Sequence, residues 1–213
     1  MDCRGHGKSD KPHEDSNYGQ KMTDDVIKLM DHLSIEKANF LGYSMGAYMT
    51  FRLLLSRPEL FISAILGGFV LSFIQDEKAR SIYRENTMRR VEAFRAESID
   101  DVKDPMAHAF RQFAELGGND LKALAAVTAG LLQERSEIME SPKQLKETLK
   151  KIETPVMTVV ASNELIPGDK TLIAQIVPNA CHFQIQGKDH LTVVPDPKFH
   201  MVVKAFLGYI NKK

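Results

Sequence analysis

Apolar positions along the chain follow two spacings, and the alternation between them sets out the elements. Val26, Leu29, Met30 and Leu33 recur every three or four residues behind Thr23, Asp24 and Asp25, predicting a helix capped by Thr23 with acidic residues in its first turn. Residues 37–41 form a short apolar run read as a strand, and residues 45–56, rich in Ala, Met and Leu, read as a helix ending before Pro58. Residues 62–66 make a second buried strand, closed by Gly67-Gly68. The pattern then changes to helices without strands, at 77–97, 105–116, 119–134 and 142–152. Strands return with residues 154–161, a near-continuous apolar run with β-branched residues, typical of a strand covered on both faces of a parallel sheet. Asp169 next caps a helix carrying Leu172, Ile173, Ile176 and Val177, residues 181–185 form a further strand, and Asp196-Pro197 opens a closing helix with Phe199, Val202, Val203, Phe206, Leu207 and Ile210 on its apolar face.

The chemistry centres on Gly42-Tyr43-Ser44-Met45-Gly46, between a predicted strand and a predicted helix. Glycines two residues either side of a serine permit a turn so tight that the serine protrudes with a strained backbone. The amide of Met45 opens the helix that follows, and it points to where an oxyanion forms, with the positive end of the helix dipole behind it. A serine hydroxyl needs a base to take its proton, and the base needs a third group to hold its tautomer. His190 lies after the last predicted strand and before the closing helix. His32 and His200 fall in helices and His182 in a strand, where a packed or surface histidine is the plainer reading; His6 falls in a loop, and His13 and His108 make weaker candidates than His190.

Composition narrows the classes. Across 213 residues, Lys plus Arg and Asp plus Glu are 28 each, so no net field recruits nucleic acid or an anionic membrane. Cys3 and Cys181 stand far apart in no metal-ligand spacing, which argues against a disulfide scaffold or a structural zinc and makes the cytoplasm the expected location. The longest apolar stretch, residues 60–74, is interrupted by Gly67-Gly68 and serines and is too short to span a bilayer; the first residues carry no leader pattern. One domain, or a core with an inserted lid, fits the length.

Asp2, Arg4, Gly5, His6, Gly7, Ser9, Asp10 and Pro12 form an Asp-x-Arg-Gly-His-Gly-x-Ser-Asp-x-Pro loop, and Gly-x-Ser-Met-Gly follows some 35 residues after Gly7. Together they resemble the α/β-hydrolase superfamily, and the resemblance runs to the C-terminus. It implies an α/β fold with an N-terminally truncated parallel sheet and a helical lid insertion: a core of residues 1–68 and 152–213, and a cap of residues 69–151 that covers the active site and shapes the acyl pocket. It places the catalytic histidine at His190. The acid of the triad is implied just after the strand at 154–161, where Ala161-Ser162-Asn163-Glu164 puts Glu164 in the position usually held by aspartate. Asp169 is the alternative, although its helix-cap position already explains it; Asp189, beside His190, ranks last. The His6 loop looks structural in the family.

The expected activity is a serine hydrolase cleaving small carboxylic esters through an acyl-enzyme: Ser44 attacks, His190 acts as base then acid, Glu164 orients it, and the Met45 amide serves the oxyanion. No metal or organic cofactor is needed, because water completes the cycle. Against the fold's usual plan the chain starts late, lacking strands and the second oxyanion donor, so the exposed strand edge predicts a homo-oligomer that completes the sheet. Two alternatives stand: a hydrolase of another bond, such as a lactone or C–C bond, and an impaired remnant acting as a binding or interaction module.

Overall fold

A computed structural model describes residues 1–71, 77–139, 141–166 and 168–212. The end of the 60–74 apolar stretch and the start of the 69–151 segment fall partly outside the described residues. In chain order the elements are α1 (Gln20–His32), β1 (Ala38–Tyr43), α2 (Met45–Ser56), β2 (Phe61–Gly67), α3 (Glu77–Arg95), α4 (Pro105–Leu116), α5 (Leu121–Met139), α6 (Pro142–Leu149), β3 (Val156–Asn163), α7 (Leu172–Ile176), β4 (Ala180–Asp189) and α8 (Pro197–Ile210).

The chain divides into two compact units. One joins Ile27–Ser72 to Ser141–Lys213 and holds the sheet, four parallel strands in the order β1-β2-β3-β4. Parallel strands need cover on both faces, which is why every residue of β3 from Val156 to Ala161 is buried. Ile65, Met157, Val159, Ala161 and Ile185 form one core with Phe199 and Val203 of α8, while Ala64, Leu66, Val156 and Val160, on the alternate positions, are buried as well. Asp196 caps α8 by accepting from the Lys198 amide, with Pro197 at its first turn. Among the described residues β1 pairs with β2 alone, and its Leu41 is 48% exposed.

The other unit joins Met1–Val26 to Phe73–Glu140. Val91, Phe94, Ala114 and Ala125 knit α3, α4 and α5 together, and the buried Arg111 guanidinium closes the end of α3 by donating to the carbonyls of Ala93 (2.5 Å) and Ala96 (3.0 Å). The N-terminal segment therefore groups with these helices, and α6 with the sheet, a different division from 1–68 with 152–213 against 69–151. The N-terminal loop is fastened by Arg4, whose guanidinium grips both oxygens of Asp25 (2.6 and 2.7 Å) and the Asn17 carbonyl, and it packs against Val127 of α5.

Three local details depart from the expected elements. Thr23 does not cap α1: the helix begins at Gln20, after Gly19 at φ +70°, and the Thr23 hydroxyl instead donates back to the Gln20 carbonyl. Leu33 lies past the end of α1 and is 55% exposed, because the chain turns at Ser34, φ 55°. β4 runs to Asp189 rather than stopping at 185, through a register shift opposite Ala161 and Asn163.

Candidate active site

Three loops at the carboxyl ends of β1, β3 and β4 converge, the place where parallel α/β sheets present their chemistry. Ser44 occupies the turn between β1 and α2 with φ 53° and ψ −110°, a conformation costing about 1–3 kcal/mol that the surrounding structure must impose. Its amide donates to the Gly67 carbonyl at 2.8 Å and its carbonyl accepts from Tyr48 at 3.0 Å, so both sides of the turn are fastened. Gly42 permits the close return of α2: a Cβ there would lie 2.1 Å from the Gly46 carbonyl oxygen and 2.6 Å from the Ala47 nitrogen. The second glycine differs from expectation, since a Cβ on Gly46 would meet no atom within 4 Å.

The strand ladder brings the other two groups together. Asn163 of β3 is paired with Asp189 of β4, so the next residue on each chain, Glu164 and His190, leaves the sheet at the same level. His190 Nδ1 lies 2.6 Å from Glu164 Oε1 and His190 Nε2 lies 2.8 Å from Ser44 Oγ. The imidazole side chain is 3% exposed and the carboxylate wholly buried. An ionised carboxylate only accepts, so it fixes the proton on Nδ1 and leaves Nε2 to accept from the serine hydroxyl. Glu164 Oε1 also accepts from the Leu165 amide at 2.9 Å, while Oε2 is buried without a partner among the described residues.

Met45 is the first residue of α2, and an amide in a first helical turn has no acceptor within its own helix. Asp169 is occupied elsewhere: its oxygens accept from the amide and hydroxyl of Thr171 and from Gln175, closing the turn before α7 and holding its carboxyl below the usual range. Asp189 likewise turns away from the imidazole to the amides of Leu191 and Thr192 and the Thr192 hydroxyl. Among the other histidines, His6 Nδ1 meets the Arg4 carbonyl of its own loop, and His13 pairs with Asp120. His182 meets the Thr158 hydroxyl, and burial, the largest influence on it, lowers its pKa. His32 ends α1, His108 lies in α4 and His200 in α8. Among the described residues there is no cluster of three or more metal-ligating side chains, and no helix long and apolar enough to cross a membrane. Tyr43, the unspecified middle position of Gly-x-Ser, also reaches this site, donating its hydroxyl to the His190 carbonyl. Nothing in the motif marks that role.

A strained serine after the first strand, followed in chain order by an acid and a histidine, on a parallel sheet, is the plan of the α/β-hydrolase fold. The model of that family matches residues 1–143, and the chain belongs to it. Among individual relatives, a 3-oxoadipate enol-lactonase of Acinetobacter baylyi is 43% identical over 67 residues, 32% of this chain and 25% of that protein. A Haemophilus influenzae protein provisionally described as an esterase/lipase is 24% identical over 225 residues, covering all of this chain and 73% of its own. With a solved carboxylesterase structure from the thaumarchaeon Nitrososphaera gargenis, the backbone superposes with a TM-score of 0.73 at 19% identity over 99% of this chain and 79% of that one, a likeness of fold. The first curated relatives are matched over 22–30% of their own length.

Proposed function

We propose that the protein is a serine hydrolase of small carboxylic esters working through an acyl-enzyme. The observation that carries this reading is the continuous chain from Ser44 Oγ through the His190 imidazole to the buried Glu164 carboxylate, at 2.8 and 2.6 Å. As Ser44 Oγ bonds to the ester carbonyl carbon, its proton passes to His190 Nε2, and the positive imidazolium is held by Glu164. The carbonyl oxygen becomes an anion beside the Met45 amide, at the positive end of α2. Collapse expels the alkoxide, which takes the proton from His190; a water then repeats the sequence on the acyl-enzyme, releasing the acid and restoring the serine.

The test is hydrolysis of p-nitrophenyl acetate and butyrate by the purified chain beside Ser44→Ala. The reading requires that the substitution abolish turnover; equal rates would leave only a binding role for the fold. A second reading, cleavage of a lactone, is favoured by the 43% identity with the enol-lactonase. The same steps then yield a single hydroxy acid, and a lactone assay beside the ester assay separates the two.

We further propose that the protein self-associates along β1, whose outer edge is unpaired among the described residues, so that a second copy extends the sheet. A clean monomer by light scattering would exclude this. Both cysteines are free thiols, in keeping with a reducing, cytoplasmic setting.

A further inference from the structure

In the sheet order β1-β2-β3-β4, the strand that delivers Ser44 and the strand that delivers His190 are the two outermost. Three strand spacings are about 14 Å, so the base has to be brought back across the strand ends and held there. The turn that carries it is fastened to its own strand by the Asp189 carboxylate, through Leu191 and Thr192, and to the start of α8 by Lys188 with Asp196 at 3.2 Å. None of these contacts ties it to the nucleophile's strand.

Among the described residues, one side chain besides the reacting Ser44 does. Tyr43, the residue immediately before Ser44, reaches over the end of β2 and donates its hydroxyl to the His190 backbone carbonyl. Its ring lies against the His190 imidazole, centroids 5.2 Å apart, and stands edge-on to Phe199 of α8 at 6.0 Å. The crossing is possible because the end of β2 is Gly67-Gly68: a Cβ on either would come within 2.8 Å of the Tyr43 ring. We propose that Tyr43 is a positioning residue for His190, coupling the nucleophile's strand to the base's turn so that the Nε2 to Oγ distance does not depend on the reacting hydrogen bond alone. Burial, reinforced by the carboxylates of Glu164 and Asp189, raises the phenol's pKa, so it keeps its proton and stays a donor throughout the working range.

The inference rests on the hydrolase reading above, and its test is chosen to fail separately. Tyr43→Phe removes the hydroxyl and keeps the ring. Misplacement of a catalytic group by about 1 Å is worth up to about a hundredfold, so kcat for p-nitrophenyl acetate should fall about ten- to a hundredfold with KM within about twofold. Labelling of Ser44 by a fluorophosphonate, followed by intact mass, should slow in step, and the low-field proton resonance of His190 Nδ1 should broaden while the melting temperature holds. An unchanged labelling rate and an unchanged resonance overturn the proposal. So does a loss of kcat that merely tracks a lowered melting temperature with the resonance intact, since that is a structural role only. If the unsubstituted chain takes no fluorophosphonate, the hydrolase reading fails, and the resonance alone then decides for or against Tyr43.

Discussion

Replacing Glu164 by glutamine keeps the shape of the side chain and removes its charge, which isolates what the carboxylate contributes. In the resting site Oε1 accepts from His190 Nδ1 at 2.6 Å, with the carboxylate fully buried. When Ser44 gives up its proton the imidazole becomes a cation, and two unit charges about 4 Å apart attract by roughly 4 kcal/mol at an effective dielectric of about 20. At 1.36 kcal/mol per tenfold, that is about three decades of rate. The amide adds a second penalty, since its NH₂ can face Nδ1 and favour the wrong tautomer. Glu164→Gln should therefore lower kcat for p-nitrophenyl acetate about 10³- to 10⁴-fold, with the circular dichroism spectrum unchanged. Glu164→Asp retains the charge but withdraws it by about 1.5 Å, one C–C bond. The contact then opens to about 4 Å, beyond hydrogen-bonding range, so this variant should fall between the glutamine variant and the original. A glutamine variant within tenfold of the original would refute the assignment of Glu164, and with it the electrostatic reasoning.

The two glycines of the elbow should behave oppositely. Gly42→Ala drives a methyl into the Gly46 and Ala47 backbone, which cannot yield as a side chain would, and should destabilise by about 3 kcal/mol or more by denaturant titration; Gly46→Ala meets nothing and should keep activity while gaining up to about 1 kcal/mol of helix stability. A destabilised Gly46→Ala would mean that the turn is tighter than described. Arg111→Ala leaves the buried Ala93 carbonyl of α3 and the part-buried Ala96 carbonyl just past its end without their donor, and should lose about 1–3 kcal/mol; a neutral result would mean that water replaces the guanidinium. Asp189 has its carboxyl held below the usual range, first by the Thr192 hydroxyl and then by the Leu191 and Thr192 amides. Its folded pKa is depressed, so its contribution is complete above the unfolded value of about 3.9 and is lost as pH falls through the lower folded one. The melting-temperature gap between the original chain and Asp189→Asn should be constant from pH 7 to about 5 and close on further acidification; a gap that persists at pH 2 would contradict this.

Where the sequence states a local rule strongly, structure and expectation coincide. Met45–Ser56 and Pro105–Leu116 have the bounds read from sequence, because a tight turn starts the first, Asp104 with Pro105 starts the second, and Pro58 or Gly117 follows the end. The flanking glycines single out Ser44, and the order in which such folds present their groups singles out His190 and Glu164, three side chains that the structure brings within hydrogen-bonding distance, Ser44 to His190 and His190 to Glu164. Thr23 misleads because threonine bonds to backbone equally well inside a first turn as at a cap, and only the positive φ of Gly19 decides between them. The grouping of the N-terminal loop with α3, α4 and α5 depends on contacts between distant residues, such as Gly5 against Val127 and Arg95 with Asp15, which no local periodicity encodes. Tyr43 was invisible for a related reason: its partner lies 147 residues away.

The meeting of Glu164 and His190 depends on a feature of β4 that its apolar pattern does not show. Partner numbers between β3 and β4 differ by 24 as far as Ala161 with Ile185, and by 26 at Asn163 with Asp189. Two extra residues are thus taken up on β4 just before the site, where the Gly187 amide donates to the Ser162 hydroxyl at 2.9 Å. Had the first register continued, Asn163 would face Gly187, and His190 would start three residues beyond its partner rather than one. An imidazole so far along the turn would lose either Glu164 or Ser44, since each ring nitrogen is already engaged at 2.6 and 2.8 Å. The irregularity in the ladder is therefore part of the candidate site: it converts a sheet whose register is fixed by core packing into one that sets the His190 imidazole beside the Glu164 carboxylate.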